Sequence, residues 1–196
     1  MGRRFASFLE LDLCSREDAG RGIQVRVQLD VDIPAQELAG YEEYREKVKG
    51  TNISAQTLLA TDYLNHFNEI VMLFDLLADM PDMIEECKAW QPKDYKSHFA
   101  DSTFSDKALA IAAYDRVPAK FRNPFEETIG QLNALILDGV MRLDAEILAG
   151  AGPDQLQDSC RSLARAAQVL MDCASAIIHG SDRAMAQAEI DGMLGR

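Results

Sequence analysis

The chain has 196 residues and a mass of 21.7 kDa, room for about one globular domain with an appendage. Hydrophobic residues make up 47% of it and charged residues 27%, a composition that excludes bulk disorder. With 32 acidic against 20 basic residues the net charge is −12, and no Lys/Arg run offers local relief, so neither nucleic acid nor an anionic membrane surface is an expected partner.

The longest uninterrupted apolar run, Ile70 to Phe74, is too short to cross a bilayer. Near the N-terminus, Glu10 and Asp12 interrupt the apolar core that a signal peptide needs, and a cytoplasmic location is expected. Cys14, Cys87, Cys160 and Cys173 are scattered without a Cys-x-x-Cys pair, which predicts reduced thiols rather than a zinc or redox motif.

The fold class expected is α+β, mainly α: an N-terminal β-hairpin over residues 1–33, a helical bundle over 34–180 and a C-terminal amphipathic helix over 181–196. From Ile23 to Ile33 every odd position is aliphatic and every even one polar, the signature of a half-buried strand. Phe5, Leu9, Leu11 and Leu13 alternate more loosely, and the polar stretch from Ser15 to Gly22 can reverse the chain between the two strands. Two strands alone are marginal in water, so their apolar face must lie on helices or their edge must pair with a second chain, and a homodimer is expected.

Pro34 opens a charged helix to Lys49 with Leu38, Tyr41, Tyr44 and Val48 at helical spacing, closed by Gly50. A long helix is predicted from Asn52 to Met80, with Leu59, Tyr63, His66, Ile70, Leu73, Leu77 and Met80 spaced by four and three before Pro81. Residues 82–122 are broken by Pro92 and Pro118 into short helices, Asp82 to Trp90 and Ser105 to Asp115, with Tyr95, Phe99 and Phe104 in the connection between them. Asn123-Pro124-Phe125-Glu126 has the form of a capping box and predicts a helix from there to Leu148. Gly130 and Gly139 weaken that helix unless they admit a close neighbour. The Gly150-Ala151-Gly152-Pro153 turn leads into an antiparallel helix to His179, whose Leu156, Cys160, Leu163, Ala167, Leu170, Ala174 and Ile177 form an unbroken seam.

The catalytic signatures are missing: there is no Gly-x-Ser-x-Gly elbow, no Gly-rich phosphate loop and no cysteine paired with a motif histidine. The adjacent pairs Glu42-Glu43, Glu85-Glu86 and Glu126-Glu127 diverge by about 100° on a helix and do not converge on a substrate. Asp62, His66 and Glu69 stand at i, i+4 and i+7 and so share one helical strip. Together with His98, which pairs with Asp101 at i+3, they are the candidate metal ligands, which Glu126 or Glu127 could complete; a metal-binding enzyme or sensor using His66 and Glu69 is one alternative function, and a helical-bundle protein acting as a structural homodimer is the other. The order is the reverse of the Glu-x-x-His pairs of dimetal bundles, and a boundary histidine hydrogen-bonded by the carboxylates of its own helix is the reading the spacing favours. No cofactor is expected.

The C-terminal segment Gln187-Ala188-Glu189-Ile190-Asp191-Gly192-Met193-Leu194 places apolar anchors at i, i+3 and i+4 with acidic flanks, the pattern of a helix that docks in a groove with a basic rim. It resembles the Gln-x-x-Ile/Val-Asp-x-Leu-Leu peptide that flagellar switch proteins carry at their N-terminus and the chemotaxis phosphatase CheZ at its C-terminus. The resemblance implies binding of a CheY-like response-regulator receiver domain. Ile190, Met193 and Leu194 would be the buried anchors, and Gln187, Glu189 and Asp191 the polar contacts. Gly192 departs from the usual Ala or Asp and weakens the free helix by up to about 1 kcal/mol. The remainder of the chain carries no element of a chemotaxis phosphatase's catalytic helix, so dephosphorylation is not implied and a non-catalytic signalling adaptor is the function expected.

Overall fold

A computed structural model describes residues 33–181 together with Met185, Glu189 and Gly192. The expected hairpin therefore lies outside the described residues except for Ile33. The described part is mainly helical and belongs to one unit, Ile33–Arg196.

The first helix, α1 (Ala35–Lys47), starts after Pro34, whose carbonyl accepts from the backbone N–H groups of Glu37 and Leu38. Tyr41 and Val48 are buried, whereas the rest of the helix is solvated and carries Glu43–Lys47 at i,i+4. Exposed pairs of this kind contribute little to stability because water and salt screen them. Gly50, at φ +82°, supplies the left-handed residue that ends the segment.

The long helix expected from Asn52 is corrected by the structure. Helical geometry begins only with a 3₁₀ turn at Thr61–Leu64 and continues as α2 (Asn65–Leu77). Residues 51–60 form instead a tight loop, closed by an antiparallel bridge between Ile53 and Ala60. Hydroxyl side chains compete here with a helix for the backbone: Thr51 Oγ1 accepts from Ile53 N (3.2 Å), and Ser54 Oγ accepts from Gln56 N and Thr57 N (both 3.3 Å). Leu58 sits at φ 64°, where no α-helix can continue, and its side chain is fully enclosed. The apolar stripe marks burial at Leu59, Tyr63, His66, Ile70 and Leu77 but not at Met80, which is exposed, and it does not mark helix throughout: Leu59 and Tyr63 are buried from a loop and a turn.

Pro81 begins a 3₁₀ turn, Pro81–Met83, that runs into α3 (Ile84–Ala89). The connection expected around Tyr95 and Phe99 is a helix, α4 (Tyr95–Asp101), capped by Asp94, which accepts from Ser97 N (2.9 Å) and Ser97 Oγ (2.6 Å). Two turns are too few for periodicity to register. α5 (Lys107–Tyr114) follows and packs on α4.

The next helix, α6 (Ala119–Leu148), starts at Pro118 rather than at the Asn123 capping box, and Pro124 lies inside it. Proline at this point removes the bond that its own N–H would make to the Lys120 carbonyl and its ring crowds that carbonyl, a cost confined to the first turns of the helix. The turn before it is held by buried Phe121, by Arg122 Nη2 donating to Val117 O (2.7 Å) and by Ala119 N donating to Glu37 (3.3 Å). Glu126 does not reach back to a cap; it accepts from the Tyr114 hydroxyl (2.9 Å).

α7 (Pro153–Ile178) follows a short turn in which Gly150 has φ +76°. Every residue of its predicted seam is buried, from Leu156 to Ile177, and it packs on α6 and on α2. Where α6 and α7 meet, a Cβ on Gly139 would stand 2.4 Å from Leu163 Cδ2, so this glycine admits the close neighbour, while Gly130 has open space. The C-terminal end of α7 is met by the 51–60 loop, where Thr57 Oγ1 donates to Ile178 O (2.6 Å).

Candidate functional site

Two stretches of chain, residues 62–69 and 93–104, build one cleft of about 370 Å³. The 3₁₀ turn contributes Asp62, α2 contributes Asn65, His66 and Glu69, the loop before α4 contributes Lys93, and α4 with the residues after it contributes His98, Asp101, Ser102, Thr103 and Phe104. Asp62, His66, Glu69 and His98, singled out on spacing, thus share a single site, although His98 comes from a different helix.

The two imidazoles have their ring centroids 6.0 Å apart. His66 is only 6% exposed and lies flat on Trp90, with centroids 4.8 Å apart and planes 20° from parallel. The Trp90 indole N–H donates to the backbone carbonyl of His66 (3.2 Å), which locks the stack. His66 Nε2 bonds the Gln91 carbonyl at 3.0 Å; a carbonyl only accepts, so Nε2 carries the proton and Nδ1 of the neutral ring is an acceptor. His98 stands edge-on to Tyr63 and Phe99 and donates to the backbone carbonyl of Asp62. Burial holds both imidazoles below the usual histidine pKa, opposed by these carbonyl bonds, so both rings are neutral at pH 7.

Charge in the cleft is unevenly used. Lys93 Nζ donates to Asp101 (2.9 Å) and holds that carboxyl below its ordinary range, whereas Asp62 and Glu69 make no ion pair among the described residues. Beneath the cleft, the Tyr63 hydroxyl donates to Lys93 O (2.7 Å) and the Tyr95 hydroxyl accepts from Ala60 N (2.8 Å). Burial raises both phenols well above their ordinary range. These two rings and Phe99 pin the excursion to the core, while Phe104 alone of the aromatics named there borders the cleft. Among the described residues, no three His, Cys, Asp or Glu side chains are gathered closely enough to hold a metal ion. Glu126 and Glu127 do not line the cleft. Lys93 and Thr103 belong to the site without any sequence signal, since only the tertiary fold brings them there.

Of the tail residues, Gln187, Ile190, Asp191, Met193 and Leu194 lie outside the described residues. Glu189 and Gly192 are helical and exposed. Met185 is half-buried: its carbonyl accepts from Gln131 Nε2 of α6 (3.3 Å), and its backbone hydrogen-bonds the Cys173 thiol of α7. Cys87 and Cys160 are free and buried, and burial raises each thiol to about 11, so neither is a nucleophile at neutral pH. Among the described residues no helix is long and apolar enough to cross a membrane. Comparison with protein-family models, with curated proteins and with solved structures finds no match for this chain.

Proposed function

We propose that the chain is a non-catalytic signalling adaptor that binds a CheY-like receiver domain through its C-terminal helix. The observation that carries the reading is the state of the tail's described residues. Met185 is tied to α6 and α7, and the residues beyond it that are described, Glu189 and Gly192, are helical and exposed. A helix tethered at its start costs less ordering entropy on binding than a free peptide does. Its anchors are Ile190, Met193 and Leu194, its polar contacts Gln187, Glu189 and Asp191, and its acidic character suits a basic docking face.

The test is titration calorimetry with a purified CheY-like receiver domain against the full chain and a chain ending at Met185, which keeps the tether. The full chain binds, truncation abolishes binding and the melting temperature is unchanged. Ile190→Ala weakens binding roughly tenfold or more, as for a buried anchor. Absence of binding by the full chain, with a lower melting temperature for the truncated one, assigns the helix to the protein's own core and ends this reading.

A second reading, a structural homodimer, is favoured by a specific observation on α6. Its outward positions Gly130, Ala134, Leu137, Met141, Ala145 and Leu148 are all exposed and recur by four and three. An uncovered apolar row of that length is an interaction face, and the occupant proposed is a second copy of the chain.

A further inference from the structure

We propose that the cleft between α2 and α4 is a binding site for a small organic cation carrying an ammonium or guanidinium group. The inference is independent of the tail and rests on the hydrogen-bonding account of the cleft wall. Each histidine has given one N–H to a backbone carbonyl, His66 to Gln91 and His98 to Asp62, so the neutral rings have only acceptor nitrogens left for a ligand. His66 is nine-tenths buried, and its Nδ1 has no protein hydrogen-bond partner among the described residues. Ser102 is spoken for as well, since its hydroxyl donates to Phe99 O (3.0 Å) and accepts from Phe104 N (3.3 Å). Lys93, the cation among the lining residues, is bonded to Asp101. Asn65 Oδ1 accepts from Asn68 Nδ2 (3.3 Å), so the Asn65 amide and the Thr103 hydroxyl are neutral donors on the wall. The acceptors that face a ligand are His66 Nδ1 and the carboxylates of Asp62 and Glu69, which bring the wall's unpaired negative charge.

A ligand that satisfies such a wall must bring donors and positive charge. Guanidinium offers five N–H donors in a plane and an alkylammonium three, and both are attracted to aromatic rings, of which Phe104 is one that lines the cleft. A volume of about 370 Å³ falls in the size class of small-molecule sites. A transition metal would also use neutral imidazoles, but the described side chains are not gathered for one.

The probe is n-butylguanidinium, with n-butylurea as its neutral isostere, titrated calorimetrically into the full chain. The cation binds with one saturable site and the urea does not. Glu69→Gln and Asp62→Asn each weaken binding roughly tenfold, the loss expected for one charge-assisted hydrogen bond. Glu86→Gln on α3, at an exposed position outside the cleft, leaves binding unchanged and guards against non-specific attraction to an acidic protein. Affinity falls from pH 7.5 to pH 5 as His66 and His98 gain charge against a background of Asp62, Glu69, Asp101 and Lys93. Circular dichroism verifies that the variants fold, and Glu69, being exposed, is the safer substitution. Equal binding of the urea, no saturable binding of the cation, or equal losses in Glu86→Gln and Glu69→Gln overturns the proposal. So does stoichiometric zinc uptake lost in Glu69→Gln while butylguanidinium is inert.

Discussion

His66 and His98 have neutral rings because His66 is buried and His98 half-buried against aromatic rings, a desolvation that outweighs the opposing carbonyl bond each makes. Their folded pKa values lie below 6.5, the value of an exposed histidine, so the unfolded chain binds protons that the folded chain refuses. The sign follows: this contribution to stability is fully present above pH 6.5 and is lost as the pH falls from there through the folded values. The carboxylates of Asp94 and Asp101 are shifted the other way, down from 3.8, and their contribution is lost only in stronger acid. Urea denaturation midpoints measured between pH 7.5 and pH 5 should therefore decline, and a His66→Phe/His98→Phe double variant should flatten the decline while leaving the loss below pH 4 intact. An unchanged slope in that variant would place the titrating groups elsewhere. The strip of Asp62, His66 and Glu69 is legible from spacing alone because all three lie within two consecutive helical turns. That His98 completes it is not legible, because the approach of α4 depends on Trp90, Tyr63 and Tyr95 packing beneath.

The pairing of α6 with α7 turns on Gly139. A methyl group there would collide with the terminal carbons of Leu163, which is itself buried in the α7 seam, whereas a methyl group on Gly130 meets nothing within 4 Å. Glycine costs a helix up to about 1 kcal/mol relative to alanine, and overpacking a tight contact costs about 1–3 kcal/mol. Gly130→Ala should stabilise the protein by about 0.5–1 kcal/mol, while Gly139→Ala should lower stability by about 1 kcal/mol or more because the collision outweighs the helix gain. Chemical denaturation of the two variants decides it, and equal stabilisation by both would mean that the helices slide apart at no cost. Both glycines stand out in the sequence, but only the register between helices separates them. The seam of α7 is legible for a simple reason: one wall of one helix meets one core along its whole length. Loop 51–60 is illegible for the converse reason. Its burial comes from three sides at once, with Tyr41 donating to Gln56 O, Tyr95 accepting from Ala60 N and Thr57 donating to the end of α7, so an apolar pattern appears there without a helix beneath it.

At the scale of the molecule two forces oppose each other across the outward face of α6. Leu137, Met141 and Leu148 are 40%, 66% and 80% exposed, which leaves an apolar row facing water, while the net charge of −12 makes any two copies repel. Apolar burial acts at contact and is insensitive to moderate salt, whereas the repulsion acts through solvent and is screened over about 10 Å at 0.1 M salt. A homodimer formed on this face must therefore tighten as salt is added, the opposite of an assembly held by ion pairs. The small residues Gly130 and Ala134 at one end of the row allow two helices to approach closely there, and the larger side chains at the other end supply the buried area. Sedimentation velocity at low and moderate salt should show a monomer–dimer equilibrium that shifts toward dimer with salt. Met141→Glu combined with Leu148→Glu, at positions already in water and so harmless to the fold, should leave a monomer at every salt concentration. A wild-type chain that stays monomeric throughout, or a dimer that survives both glutamates, would remove α6 as the contact between copies.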